Sequence, residues 1–142
     1  MKYLKKYEQN KPIIYLNYSQ KNLTKLPKLP NTLIYLYCSN NNLIQLPELH
    51  NSLKILNCYN NKLTQLPKLP NSLKILNCYN NNLTQLPKLP NSLKDLYCND
   101  NSLPYDNLDE YNEYINKHKD LIDKYGYTEA MNILSKANKY NI

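Results

Sequence analysis

Apolar and polar positions along residues 13–104 repeat every twenty residues. Residues 53–72 and 73–92 are the same twenty letters except that Lys62 becomes Asn82. The shared block reads Leu-x-x-Leu-x-Cys-x-x-Asn-x-Leu-x-x-Leu-Pro-x-Leu-Pro-Asn-Ser. Leu33, Leu36, Cys38, Asn41, Leu43, Leu46 and Leu49 mark a copy before these two, and Leu93, Leu96, Cys98, Asn101 and Leu103 begin one after. A worn copy opens the array: Ile13, Leu16, Leu23, Leu26 and Leu29 hold the apolar slots, but Tyr18 and Lys21 stand where Cys and Asn stand later.

The spacing within a unit predicts its path. In Leu-x-x-Leu-x-Cys the last three positions alternate, as in a short strand that turns Leu and Cys to one side. The prolines of Leu-Pro-x-Leu-Pro lack an amide donor and push the preceding residue toward extended geometry, so the return leg is polyproline-like rather than helical. Each unit is then a flattened coil with an apolar interior, and the coils stack so that their strands make a parallel sheet. Turning the chain inward buries backbone donors and acceptors that need partners. The amides of Asn41, Asn61, Asn81 and Asn101 carry both a donor and an acceptor, which suits a ladder running from coil to coil. Because one coil cannot bury its own faces, stability rests on neighbours and both ends need covers.

After Pro104 the period changes. Leu108, Tyr111, Ile115, His118, Ile122 and Tyr125 recur every three or four residues, which predicts one helix capped by Asp106 or Asn107 and stopped at Gly126. A second helix is expected from a cap at Thr128 to about Asn138, with Ala130, Ile133, Leu134 and Ala137 on one side. This pair would cover the final coil. The expected organisation is an N-terminal segment 1–12, a solenoid 13–104 of about five units, and a helical cap 105–142.

The repeat resembles the short, bacterial-type leucine-rich repeat of effector proteins delivered into host cells. Its Asn, Lys, Tyr and Ile bias also resembles leucine-rich-repeat proteins of AT-rich giant viruses. The resemblance implies an α/β solenoid, a right-handed superhelix of short parallel strands that grips other proteins. Two departures stand out: Cys replaces the usual aliphatic in the sixth slot, and residues 1–12 show no match to the helical hairpin that precedes the repeats in the effectors. The large ubiquitin-ligase domain of some effectors has no counterpart here.

Composition narrows the chemistry. A single glycine, Gly126, in 142 residues rules out glycine-rich phosphate cradles. All 18 basic residues are Lys, and they outnumber the 11 acids to give a net charge of +7. The excess lies in the repeats, while residues 105–142 are slightly acidic. The absence of Arg argues against base reading in nucleic acid. No apolar stretch has the length of a signal-peptide core or of a membrane span, so an intracellular, cytoplasmic location is expected, in a host cytoplasm if the chain is viral or an effector. Cys38, Cys58, Cys78 and Cys98 recur every twenty residues, which strings them along the stack at about 4.8 Å intervals instead of gathering them round a metal. They are expected as reduced, buried fillers. His50 replaces a repeat proline, and His118 falls in the cap; neither has a recurring neighbour that would make it a catalytic base.

Function is expected on the outward strand positions. These form one column of Tyr15, Tyr35, Ile55, Ile75 and Asp95, and a second of Asn17, Tyr37, Asn57, Asn77 and Tyr97. A third comprises Ser19, Ser39, Tyr59, Tyr79 and Asn99, and Lys54, Lys74 and Lys94 line one edge. Tyr with Ile is the chemistry of a protein-binding patch. The residues expected to bind are Tyr15, Tyr35, Tyr37, Ile55, Tyr59, Ile75, Tyr79, Tyr97, Lys54, Lys74 and Lys94. The reading is a non-enzymatic protein-interaction module with a protein partner, no cofactor, no metal and a monomeric state. Its rivals are a structural component of a larger particle and an anion binder using the lysine edge.

Overall fold

The computed structural model describes residues 12–140; the expected N-terminal segment 1–12 lies, but for its last residue, outside the described residues. Five three-residue strands, β1 (Tyr15–Asn17), β2 (Tyr35–Tyr37), β3 (Ile55–Asn57), β4 (Ile75–Asn77) and β5 (Asp95–Tyr97), form one parallel sheet in sequence order. Their register advances by twenty residues at each step, pairing Leu16, Leu36, Leu56, Leu76 and Leu96 in turn. The alternation in the repeat explains the burial: the central Leu of β2 to β5 is buried and the residues on either side face outward. The return legs are free of helix, and their leucines, such as Leu46, Leu49, Leu66 and Leu69, meet the strand leucines in one continuous core. Each leg ends in a tight turn in which the N–H of Leu33, Leu53, Leu73 or Leu93 donates to the carbonyl three residues earlier. At Leu53 that acceptor is His50, which takes over the backbone role of the proline it replaces.

The asparagine ladder is present and more directional than its sequence implied. Asn61 Nδ2 donates to the carbonyls of Cys58 in its own coil and Cys38 in the coil before, both at 3.0 Å, while its Oδ1 accepts from Leu43 N at 3.0 Å. Asn81 and Asn101 repeat the pattern one and two coils on. Asn41 reaches back to Tyr18 O in the worn first coil. Every rung thus ties a coil to its N-terminal neighbour. A second ladder uses hydroxyls: Thr32, Ser52 and Ser72 donate to Ile13 O, Leu33 O and Leu53 O at 2.7–2.9 Å.

One feature of the bend has no place in the apolar pattern. Gln20, Asn40, Asn60, Asn80 and Asp100, each just before the ladder position, have φ between 51° and 58°. Left-handed backbone is disfavoured for most side chains and least so for Asn and Asp, which accounts for the residue before the ladder Asn in four of the five units.

Three helices follow the sheet: α1 (Leu108–Lys117), α2 (Lys119–Tyr125) and α3 (Tyr127–Tyr140). The single helix expected over Leu108–Tyr125 is therefore broken. His118 leaves helical geometry (φ −107°, ψ 19°), and its N–H is shared between the carbonyls of Tyr114 and Ile115. The apolar period gave no warning, because Ile115 and Ile122 line the same groove on either side of the break. Asn107 caps α1 by accepting from Glu110 N, and the Glu110 carboxylate in return accepts from Asn107 Nδ2 at 2.8 Å and from the N–H of Asp106, the residue before the cap, at 2.9 Å. Gly126 ends α2 with φ 77° and ψ 161°, a region open almost only to glycine. Since α3 begins at Tyr127, the expected Thr128 cap is not formed: Thr128 lies inside the helix.

Tyrosines fasten the cap to the last coils. Buried Tyr105 packs edge-on to Tyr111 (ring centroids 5.1 Å apart) and against Tyr114. Tyr111 Oη donates to Tyr127 Oη at 3.3 Å, and Tyr127 Oη donates to Leu86 O at 3.0 Å. Among the described side chains of α3, Ala130 and Met131 are buried.

Candidate functional site

The strand register places the outward residues in the columns their spacing predicts. Tyr15, Tyr35, Ile55, Ile75 and Asp95 are paired in succession, as are Asn17, Tyr37, Asn57, Asn77 and Tyr97. In-register neighbours shade one another, so Tyr35, Tyr37, Ile55 and Ile75 are half-buried, while Tyr15 at one end and Tyr97 at the other are about half exposed (53% and 51%). The Tyr15 and Tyr37 rings lie 5.5 Å apart at a tilt. In the third column Tyr59 and Tyr79 stack nearly parallel, 5.0 Å apart. Ser39 departs from its expected outward position: it is buried, and its hydroxyl donates to Ser19 Oγ at 3.0 Å. The aromatic surface therefore shifts across the face, from the first two columns in coils one and two to the third column in coils three and four.

Polar groups between these rings are mostly spoken for. Asn17 Oδ1 accepts from Ser19 N, and Asn77 Oδ1 from Tyr79 N, each two residues on. The equivalent Oδ1 of Asn57 is buried without a partner in the face. An exposed amide ladder that sequence reasoning passed over borders the tyrosine stack: Asn60 donates to Asn40 Oδ1 at 2.6 Å, Asn80 donates to Asn60, and Asn40 Nδ2 donates to Tyr59 Oη at 3.2 Å. Its signal was present in the Asn-Asn doublet, whose first member takes the left-handed bend and leaves its amide outside. Ile44 was also missed; it is 59% exposed where three of the other units have Thr24, Thr64 and Thr84 and the last has Pro104.

Lys54 and Lys94 are exposed and Lys74 half-buried along the edge beside the isoleucines. Their backbones form a ladder of their own, Lys74 N donating to Lys54 O and Lys94 N to Lys74 O, both at 2.8 Å.

The four cysteines are free and buried. Burial pushes the Cys38 and Cys98 thiols up to about 12, and those of Cys58 and Cys78 upward as well. At Cys98 the carboxylates of Asp106 and Glu110 add to the effect. A nucleophilic or metal-binding sulfur needs the opposite environment. Among the described residues no group of His, Cys, Asp and Glu is gathered to hold a metal ion, and no helix is long and apolar enough to cross a membrane. His118 packs against Tyr114 (ring centroids 4.6 Å apart), and its pKa is lowered by burial and by Lys117.

Comparison with known proteins agrees with this architecture. No protein-family model and no curated protein matches the chain. Among solved structures it is similar to YopM from Yersinia enterocolitica WA-314, with 41% identity over 58% of this chain and 18% of that one and a TM-score of 0.57. It is also similar to a Shigella effector leucine-rich-repeat domain, with 34% identity over 70% of this chain and 50% of that one and a TM-score of 0.61. The chain thus spans half or less of the length of either. It is a leucine-rich-repeat protein, and its repeat is of the short, bacterial effector type.

Proposed function

We propose that the chain is a non-enzymatic interaction module that binds a partner protein, in a host cytoplasm, through the outward strand face. The observation that carries this reading is the in-register column of Tyr35, Ile55 and Ile75, flanked by Tyr37 and the Tyr59–Tyr79 stack. Such a surface offers large, rigid, amphipathic contact area at low cost in rotamer freedom. The strands that carry it are held by the amide ladder and the core, so the face is pre-organised for binding. The similarity to effector repeats supports a protein ligand.

The test is proximity labelling in the native cell, followed by binding of the recovered partner to the purified chain and to the double variant Ile55→Glu with Ile75→Glu. A loss of at least tenfold in affinity, with an unchanged circular dichroism spectrum, is the expected result. Undiminished binding by the folded variant would remove the face from the mechanism. A structural role in a particle would show instead as concentration-dependent self-association that the same variant leaves intact.

A further inference from the structure

Lys54, Lys74 and Lys94 occupy successive coils at the same register. The backbone ladder sets their backbones about 4.8 Å apart, which gathers three positive charges along one edge of the stack. No carboxylate pairs with any of the three among the described residues. Next to this row run Ile55 and Ile75, until Asp95 ends the apolar column. Upstream of Asp95 the only acid among the described residues is Glu48, on a return leg and not on the strand face. The chain therefore presents a short cationic stripe beside a short apolar one, both running along the stack.

Resting on the proposed face as a protein-binding surface, we infer that coils three to five receive an acidic amphipathic helix lying along the stack axis. Its carboxylates run over Lys54, Lys74 and Lys94, and its apolar residues over Ile55 and Ile75. Charge selects the acidic stripe, and spacing selects the helix. Side chains three and four residues apart on a helix are about 5–6 Å apart, close to the interval between coils. Alternate residues of an extended chain lie about 6.6 Å apart and slip out of step with the row. Three lysines span about 10 Å, which is two helical turns. An acid at i, one at i+3 or i+4, and one at i+7 meet all three. Nucleic acid fits less well, because two of the five residues of this footprint are isoleucine and the row contains no Arg to fork onto phosphate.

The experiment is a selection on the whole chain from a display library of helical peptides on a fixed alanine-rich frame with one face randomised. Acids at i, i+3 or i+4, and i+7, beside an apolar stripe, should be enriched. A selected peptide should then lose at least tenfold in affinity for the variant Lys54→Glu, Lys74→Glu, Lys94→Glu, and the same peptide with its acids changed to Lys should regain it. Neutral or basic winners, acids without that spacing, no enrichment at all, or a single-stranded RNA oligonucleotide competing through the same lysines at equal affinity would each overturn the inference. The Ile55→Glu with Ile75→Glu variant separates the two levels. If it abolishes binding of the selected or native partner while the lysine reversals do nothing, the face stands and the acidic helix falls. If it changes nothing, both fall.

Discussion

The coils and the cap achieve the same end by opposite means. In the body, the same few interactions recur at every twentieth residue: a strand leucine on the next strand leucine, a cysteine as filler, and an asparagine bridging two coils. No single contact is special, and each coil depends on its neighbours. The cap repeats nothing. It closes the stack with a cluster of Tyr105, Tyr111, Tyr114 and Tyr127, whose hydroxyls run from Tyr111 to Tyr127 to Leu86 O. A periodic array can extend itself but cannot stop itself, because its last coil exposes the apolar surface that a further coil would have covered. Ending it takes a different kind of structure, and that is where the chain abandons its repeat.

The largest expected effect comes from removing the cap. Deleting residues 105–142 uncovers Leu93, Leu96 and Cys98, and the remainder should be insoluble; a soluble remainder with a cooperative urea transition would show that the coils end themselves. Tyr105→Ala should cost about 3–5 kcal/mol, as for other buried aromatic truncations, by urea unfolding. In the body, Asn61→Ala leaves the N–H of Leu43 buried without its acceptor, while Cys38 O and Cys58 O each keep a donor in Asn41 and Asn81, and should cost about 1–3 kcal/mol, the range for one unsatisfied buried group. Asn60→Gly, one residue earlier in the exposed ladder, should cost about 1 kcal/mol or less, since water replaces its partners and glycine accepts the left-handed bend at φ 58°. Equal costs for Asn60→Gly and Asn61→Ala would mean that the buried rung has no special role.

The thiols give a further comparison of body with cap. Burial raises the Cys38 pKa from 9.0 to about 12, so the folded state disfavours the thiolate that the unfolded chain forms more readily. The sign follows: this contribution to stability is fully present below about pH 9 and is lost as the pH rises toward 12. Urea midpoints should be flat across neutral pH and fall steeply above 9, less so for a Cys38→Ala, Cys58→Ala, Cys78→Ala variant. At pH 8 a thiol reagent should label none of the four cysteines in the native protein, and all four in urea. The first to become reactive under mild destabilisation should be Cys98, which is roofed by the cap and contacts Tyr105 O at 3.6 Å.

Much of this molecule was legible in its letters because the repeat is strict. A twenty-residue period leaves one way to align the strands, so the columns of Tyr35, Ile55 and Ile75 and of Tyr37 and Asn57 follow from spacing alone. The ladder asparagines were legible for the same reason: a buried bend needs a group that both donates and accepts. Less legible were features that depend on what a residue meets across space. Ser39 follows the outward pattern yet is covered, because it sits beside Ser19 at the worn end, where two small residues close on each other. The break at His118 leaves the apolar period unbroken, and α3 starts at Tyr127 without using the Thr128 cap.

The sequence by itself determined the coil, the parallel register and the identity of the core, since each is a property of one unit repeated and needs only local geometry and the alternation of leucine. The tertiary structure decided which outward side chains stay accessible, where the amides of Asn40, Asn60 and Asn80 find one another, and how three helices rather than two close the end. Those outcomes depend on contacts between residues that no period relates, and only the folded chain brings such residues together.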